Sequence, residues 1–159
     1  MNRNIFSLLA TILIIFGCSG RLPERLGAKN GNLAPCPDAP NCVSTESGDP
    51  KRAMPPFPFV GTRDQARNRI LETIRGMERS KIIDVTDSYV YAQYRTRFFR
   101  FVDDVEFLFD DTAQLVHFRS ASRVGYYDFG LNRRRMIEIS RAYLQKCSGH
   151  RIWNLLWFI

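Results

Sequence analysis

Histidine is almost missing from this chain, with His117 and His150 the two in 159 residues. Together with Cys147 they stand at no metal-ligand spacing, so no metal centre is expected. There is no Gly-rich run of the kind that cradles phosphates, and no cofactor is expected. Ser44, Ser120 and Ser122 have no positioned histidine–acid pair, which leaves nucleophilic catalysis without a signal. Internal repeats and low-complexity runs are absent, and acidic residues are the scarcer sign, 16 against 23 basic. No apolar run reaches the roughly 20 residues of a spanning helix. These shortages make a binding or scaffolding module the expected class, with a small hydrolase-like enzyme of unknown specificity as the alternative.

What is present begins at the N-terminus. Residues 1–4 carry one charge, Arg3, residues 5–16 are almost wholly apolar, and Gly17-Cys18-Ser19 closes the segment. That is the charged, apolar and small-residue order of a secretory signal. A cysteine directly after the cut resembles the lipobox of bacterial lipoproteins. The resemblance implies that residues 1–17 are removed and that Cys18 carries a diacylglycerol, anchoring the protein to the cell envelope. An uncleaved membrane anchor is the alternative. Ser19 after the cysteine resembles lipoproteins of the outer membrane, so the expected location faces the periplasm.

Loss of Arg3 with the leader leaves 22 basic against 16 acidic residues. Outside the cytoplasm that excess points away from nucleic acid and towards anionic lipid or glycan, though plain solubility explains it as well. Cys36 and Cys42 flank a short loop stiffened by Pro37 and Pro40, and an oxidising compartment favours a disulfide there. A redox pair and a metal site are the alternatives. Cys147 is expected to be a buried structural thiol.

Residues 18–34 read as lipidated cysteine and flexible tether, 35–147 as one α+β domain, and 148–159 as an apolar tail. Within the domain, Thr62 and Gln65 form a capping-box pattern ahead of Ala66, Ile70, Ile74 and Met77 on one helical face. That helix is expected to end near Arg79. Alternation predicts four strands, 81–85, 89–97, 102–109 and 115–124, with Asp110-Asp111-Thr112 as a hairpin turn. A second helix is predicted over 131–145, with Met136, Ile139 and Tyr143 on its stripe. The product is a four-stranded antiparallel sheet with both helices on one face, a two-layer sandwich.

Parity places Arg95, Arg97, Asp104, Glu106, His117, Arg119 and Arg123 on the other face. The hairpin turn sets Asp104 opposite Arg119 and Glu106 opposite His117. Such a face is ordinarily a solvated, self-neutralising ladder. Arg133, Arg134 and Arg135 open the second helix, where the macrodipole disfavours cations. They call for a nearby acid (Asp103, Asp104 or Asp128) or for a bound anion held by Arg95, Arg119, Arg123, Arg133 and Arg135. Asp103 and Asp104 point to opposite faces and cannot form a dyad. His117 beside Glu106 is an acid–base candidate, more ordinarily structural.

Three motifs carry a family resemblance. Cys36-Pro37-Asp38-Ala39-Pro40-Asn41-Cys42-Val43-Ser44 resembles the opening motif of the bacterial and plastid family called domain of unknown function 1499. Phe101-Val102-Asp103-Asp104-Val105-Glu106-Phe107 resembles its central strand. Arg119 to Tyr126, Asp128-Phe129-Gly130 and Asn132-Arg133-Arg134-Arg135 resemble its third motif. The resemblance implies no activity. The tail beyond it, with Trp153 and Trp157, is expected to dock on the domain, with membrane contact or a protein partner as alternatives.

Overall fold

Strand β5 (Val102–Asp110) organises the molecule, and its neighbours explain why. The computed structural model describes residues 26–147. The leader, Cys18, the 148–159 tail and the Cys147 side chain lie outside the described residues. In order, the elements are β1 (Cys42–Ser44), β2 (Phe57–Pro58), α1 (Arg63–Arg75), β3 (Ser80–Val85), β4 (Tyr89–Arg95), β5, β6 (Leu115–Ser122) and α2 (Leu131–Cys147). They build a six-stranded antiparallel sheet in the order β1-β6-β5-β4-β3, with β2 also pairing β6. The expected α+β class holds, with six strands in place of four. β1 and β2 escaped sequence reading because three and two residues are too short to show alternation, and Pro58 masks the second.

α1 starts as its residues dictate. Thr62 Oγ1 accepts from the Gln65 N–H at 3.2 Å, and Gln65 Oε1 accepts from the Thr62 N–H at 3.1 Å. Ala66, Ile70, Leu71 and Ile74 are buried. The helix stops at Arg75, before the expected Arg79, because Ser80 Oγ donates to the Ile74 and Met77 carbonyls and Arg79 turns at φ 59°. β3 is an edge strand broken by a bulge between Ile82 and Asp84. Such a bulge limits pairing with a further strand.

Both helices cover one face of the sheet. Ile70 and Ile74 of α1 and Met136, Ile139 and Tyr143 of α2 pack on Val90, Ala92, Phe107 and Phe118. Phe57 closes this core against Phe118 and Tyr143, with ring centroids 4.8 and 5.6 Å apart. The expected solvated ladder on the opposite face is overturned. Every residue of β5 from Val102 to Phe109 is buried. The cover comes from residues 26–33, expected as tether, where Leu26 and Leu33 pack on Tyr89, Tyr91 and Leu108. Asn30 and Gly31, at φ 52° and 78°, turn this segment tightly between Lys29 and Asn32.

The β5–β6 register is also displaced from expectation. Glu106 faces Arg119, Asp104 faces Ala121 and His117 faces Leu108. Asp110 Oδ1 accepts from the Thr112 and Ala113 N–H groups at 2.8 and 3.0 Å, which stabilises a longer turn than the two-residue one expected. The slip is an even number of residues, so each side chain keeps its predicted face.

Cys36 and Cys42 are joined by a disulfide, their Cα atoms 5.7 Å apart. It ties the proline loop to the start of β1, and Arg52 donates to the Pro37 and Asp38 carbonyls of that loop. Closing so short a loop is worth about 2–2.5 kcal/mol in the chain-entropy model. The paired Cys36→Ser and Cys42→Ser change is expected to lower the urea-unfolding free energy by that amount without altering the far-UV circular dichroism of the native state.

Candidate functional site

Three carboxylates on β5 are taken out of water, and each meets an arginine. Asp103, Asp104 and Glu106 are at most 1 % exposed. On the face covered by residues 26–33, Arg119 donates to Glu106 Oε2 at 2.7 Å. Glu106 Oε1 accepts from the Tyr89 hydroxyl and from the Gly27 N–H, both at 2.8 Å. Beside it, Arg123 reaches Asp104 through Nε at 2.8 Å and through its terminal nitrogen at 2.7 Å. The Tyr91 hydroxyl donates to Asp104 Oδ1 at 2.6 Å and accepts from Gln93 and Arg123.

Burial first, then Glu106, pushes the Tyr89 phenol well above its ordinary range. Burial, then the hydrogen bond to Asp104, pushes Tyr91 up to about 12. The bond to Asp104 likewise raises Arg123.

The helix-covered face holds the third pair. Arg135 of α2 bonds Asp103, and its guanidinium lies 5.0 Å from the Tyr94 ring centroid. Arg135 also donates to Asn132 Oδ1 at 2.6 Å and to Ser120 Oγ at 3.2 Å. Asn132 Nδ2 donates to the Asn41 carbonyl, Ser122 Oγ and Asp128 Oδ2. Asp128 caps α2, accepting from the Gly130 N–H at 2.9 Å and the Asn132 N–H at 2.8 Å. Of the three arginines at this helix start, Arg135 alone meets an acid, and Arg134 donates to the Phe129 carbonyl at 2.7 Å. Arg133 turns away to the Lys51 and Ala53 carbonyls.

The five arginines expected to share an anion do not converge. Arg119 and Arg123 serve one sheet face, Arg135 the other, and Arg133 the 51–53 loop, while Arg95 stands exposed at the end of β4. The expected His117–Glu106 pair does not form either. His117 Nδ1 lies 3.3 Å from Thr45 Oγ1, on the strand-edge side. Among the described residues there is no group of three or more His, Cys, Asp or Glu fit to hold a metal ion.

Arg95 has different company. A hollow of about 250 Å³ at the end of β3 and β4 is lined by Arg79, Lys81, Arg95, Arg97 and Arg100, with no acidic side chain among its walls. Arg79 pairs with Glu78. Lys81, Arg95, Arg97 and Arg100 have no carboxylate within ion-pair distance among the described residues. Of these cations only Arg95 is among the anion-site residues expected from sequence, and β4 ends there, two residues before the expected Arg97. The signal was there in Arg95-Thr96-Arg97-Phe98-Phe99-Arg100, three cations without an acid in six residues.

A family model described as a protein of unknown function, DUF1499, matches residues 32–142. No curated protein and no solved structure matches the chain. No helix of the described residues is long and apolar enough to cross a membrane.

Removing one partner of a buried pair leaves an uncompensated charge, at about 3–5 kcal/mol. Glu106→Leu is expected to destabilise by that much in urea unfolding, and Glu106→Leu with Arg119→Met to recover most of it. A raised phenol pKa means stability that is complete below the free-phenol value of about 10 and lost as pH rises towards the folded value. The unfolding midpoint is thus expected to fall between about pH 10 and 12, and to fall less in Tyr91→Phe over the same interval.

Proposed function

The chain belongs to the DUF1499 family, and on that footing we propose that it is a lipid-anchored envelope protein whose folded domain is an anion-binding module. One observation carries the binding part. The charged residues within the sheet neutralise one another, whereas the hollow lined by Arg79, Lys81, Arg95, Arg97 and Arg100 has no acid of its own. Cations brought together against their mutual repulsion favour a ligand that supplies the missing charge, and arginine forks suit phosphate or carboxylate oxygens. The anion site expected on the sheet face moves, in this reading, to the strand ends.

The anchor rests on residues 1–18, which have the order of a lipoprotein leader. Leu26 packs on the domain eight residues after Cys18, and covalent geometry limits eight residues to under about 30 Å. The domain is then held close to its membrane, facing the periplasm in the outer-membrane reading. A protein partner for the 148–159 tail stays part of the proposal.

A second reading, a small envelope hydrolase, has the Thr45–His117 contact in its favour. It predicts turnover in an untargeted hydrolysis screen that His117→Ala removes. The binding reading predicts instead that inorganic pyrophosphate binds at low salt by calorimetry, and that Arg95→Glu with Arg97→Glu weakens it about tenfold or more, the worth of one charge-assisted hydrogen bond. For the anchor, radioactive palmitate is expected to label the wild type and not Cys18→Ala.

A further inference from the structure

The exposed aromatic side chains gather at one end of the sheet. Arg95 pairs with Val102, so residues 96–101 join β4 to β5 at that end. β6 finishes there too, with Ser122 opposite Asp103 and the Arg123 N–H donating to the Val102 carbonyl. Neighbouring strands lie about 4.8 Å apart, so the 96–101 and 123–130 loops leave the sheet side by side. Phe98 and Phe99 on the first are 82 % and 69 % exposed. Tyr126, Tyr127 and Phe129 on the second are 76 %, 58 % and 77 % exposed. Among the described residues, all the exposed aromatics fall in these two loops.

Both loops are held in shape. The Thr96 N–H donates to the Phe101 carbonyl and Thr96 Oγ1 accepts from the Phe101 N–H, each at 2.9 Å. Arg100 takes φ 55° inside that closure, a conformation uncommon for a residue with a side chain. Phe98 and Phe99 are thereby presented at the tip of a closed hairpin. On the other loop, Asn41 Nδ2 donates to the Gly125 carbonyl, Arg134 to the Phe129 carbonyl, and Tyr127 meets Phe129 edge-on at 5.1 Å.

Single exposed apolar residues are ordinary, but five aromatics on adjoining loops form a patch that needs a partner. The cationic hollow opens beside it, and Arg97 and Arg100 bracket Phe98-Phe99 in sequence. The hollow has no acid among its walls, and Arg97 and Arg100 stand on the aromatic hairpin itself, so the rings border a surface suited to phosphate oxygens. Aromatic rings at headgroup depth with arginines on the lipid phosphates is the pattern of a bilayer interface.

We propose that this end of the domain is a membrane-contact face. In it Phe98, Phe99, Tyr126, Tyr127 and Phe129 enter the headgroup–acyl boundary of an anionic bilayer while the arginines of the hollow hold lipid phosphates. It deepens the anion-binding reading of the hollow and rests on it for the phosphate contacts, but not for the insertion of the rings.

The test uses the full-length protein, purified from its membrane and reconstituted in phosphatidylcholine vesicles with and without phosphatidylglycerol. Phe98, Tyr127 or Val60 is replaced by the photocrosslinker benzoylphenylalanine. Val60 is 66 % exposed and lies at the other end of the sheet, next to Phe59, whose N–H bonds the Gln114 carbonyl. Phospholipid adducts are expected at 98 and 127 in the anionic vesicles and not at 60. Reversal of Arg95 and of Arg97 is expected to reduce them about fivefold for each charge. Thermal unfolding of each variant is followed alongside, so that loss of fold is not read as loss of contact.

Equal adducts at 60 and 98, adducts to protein in place of lipid, or no adduct at 98 and 127 in a folded protein each overturns the membrane face. If pyrophosphate still binds the hollow in that last case, the anion reading stands without the insertion. Adducts at 98 that ignore both phosphatidylglycerol and the arginine reversals overturn the phosphate contacts and keep the insertion.

Discussion

Three carboxylates in four residues of a strand buried on both faces set the terms for the rest of this fold. Desolvating one such ion costs several kcal/mol, and the cost is met only by a close cation and by hydrogen bonds to the remaining lone pairs. Asp103 and Asp104 adjoin in sequence, so the pleat sends them to opposite faces, and each needs its own arginine from its own side. Arg135 must come from α2, Arg119 from β6 and Arg123 from just beyond it. The docking of α2, the β5–β6 register and the path of the chain after β6 are therefore bound together by one electrostatic requirement.

The N-terminal segment is part of the same arrangement. Glu106 accepts from Gly27 as well as from Tyr89 and Arg119, so residues 26–33 add a third donor to it when they lie on the sheet. Leu26 and Leu33 add apolar cover over Tyr89, Tyr91 and Leu108. A segment that looks like linker thus helps to keep water from the ion pairs. Charge satisfied inside the sheet is charge unavailable to a ligand, whereas Lys81, Arg95, Arg97 and Arg100 at the strand ends meet no carboxylate among the described residues.

Much of the fold was legible because local chemistry and tertiary packing agreed. The Thr62–Gln65 capping box, the Ile70–Ile74 and Met136–Ile139–Tyr143 stripes and strands β4, β5 and β6 stand where their residues put them, with β4 and β6 each two residues shorter than expected. Where reading failed, a contact distant in sequence had decided. The turn after β5 was lengthened by Asp110, which moved Arg119 from Asp104 to Glu106. β1 and β2 exist because β6 offers them an edge. Lys29-Asn30-Gly31-Asn32 carries a tight-turn signal in Asn-Gly, but its polar, Gly-containing surroundings have the composition of a tether. The cations of the hollow come from the turn before β3, from β3 itself, from the end of β4 and from the loop after it, and no spacing rule unites residues 79, 81, 95, 97 and 100.

By itself the sequence determined the class of fold, the faces to which the residues of β4, β5 and β6 point and the excess of positive charge, and it favoured the Cys36–Cys42 disulfide. Those are consequences of period, parity and composition, which are local or additive properties. Only the tertiary structure decided which acid each buried arginine meets, that both faces of the sheet are covered, and that two aromatic loops separated in sequence by β5 and β6 leave the sheet at one end. Pairing is a matter of distance in space, and a shift of two residues in one turn preserves every face while exchanging every partner.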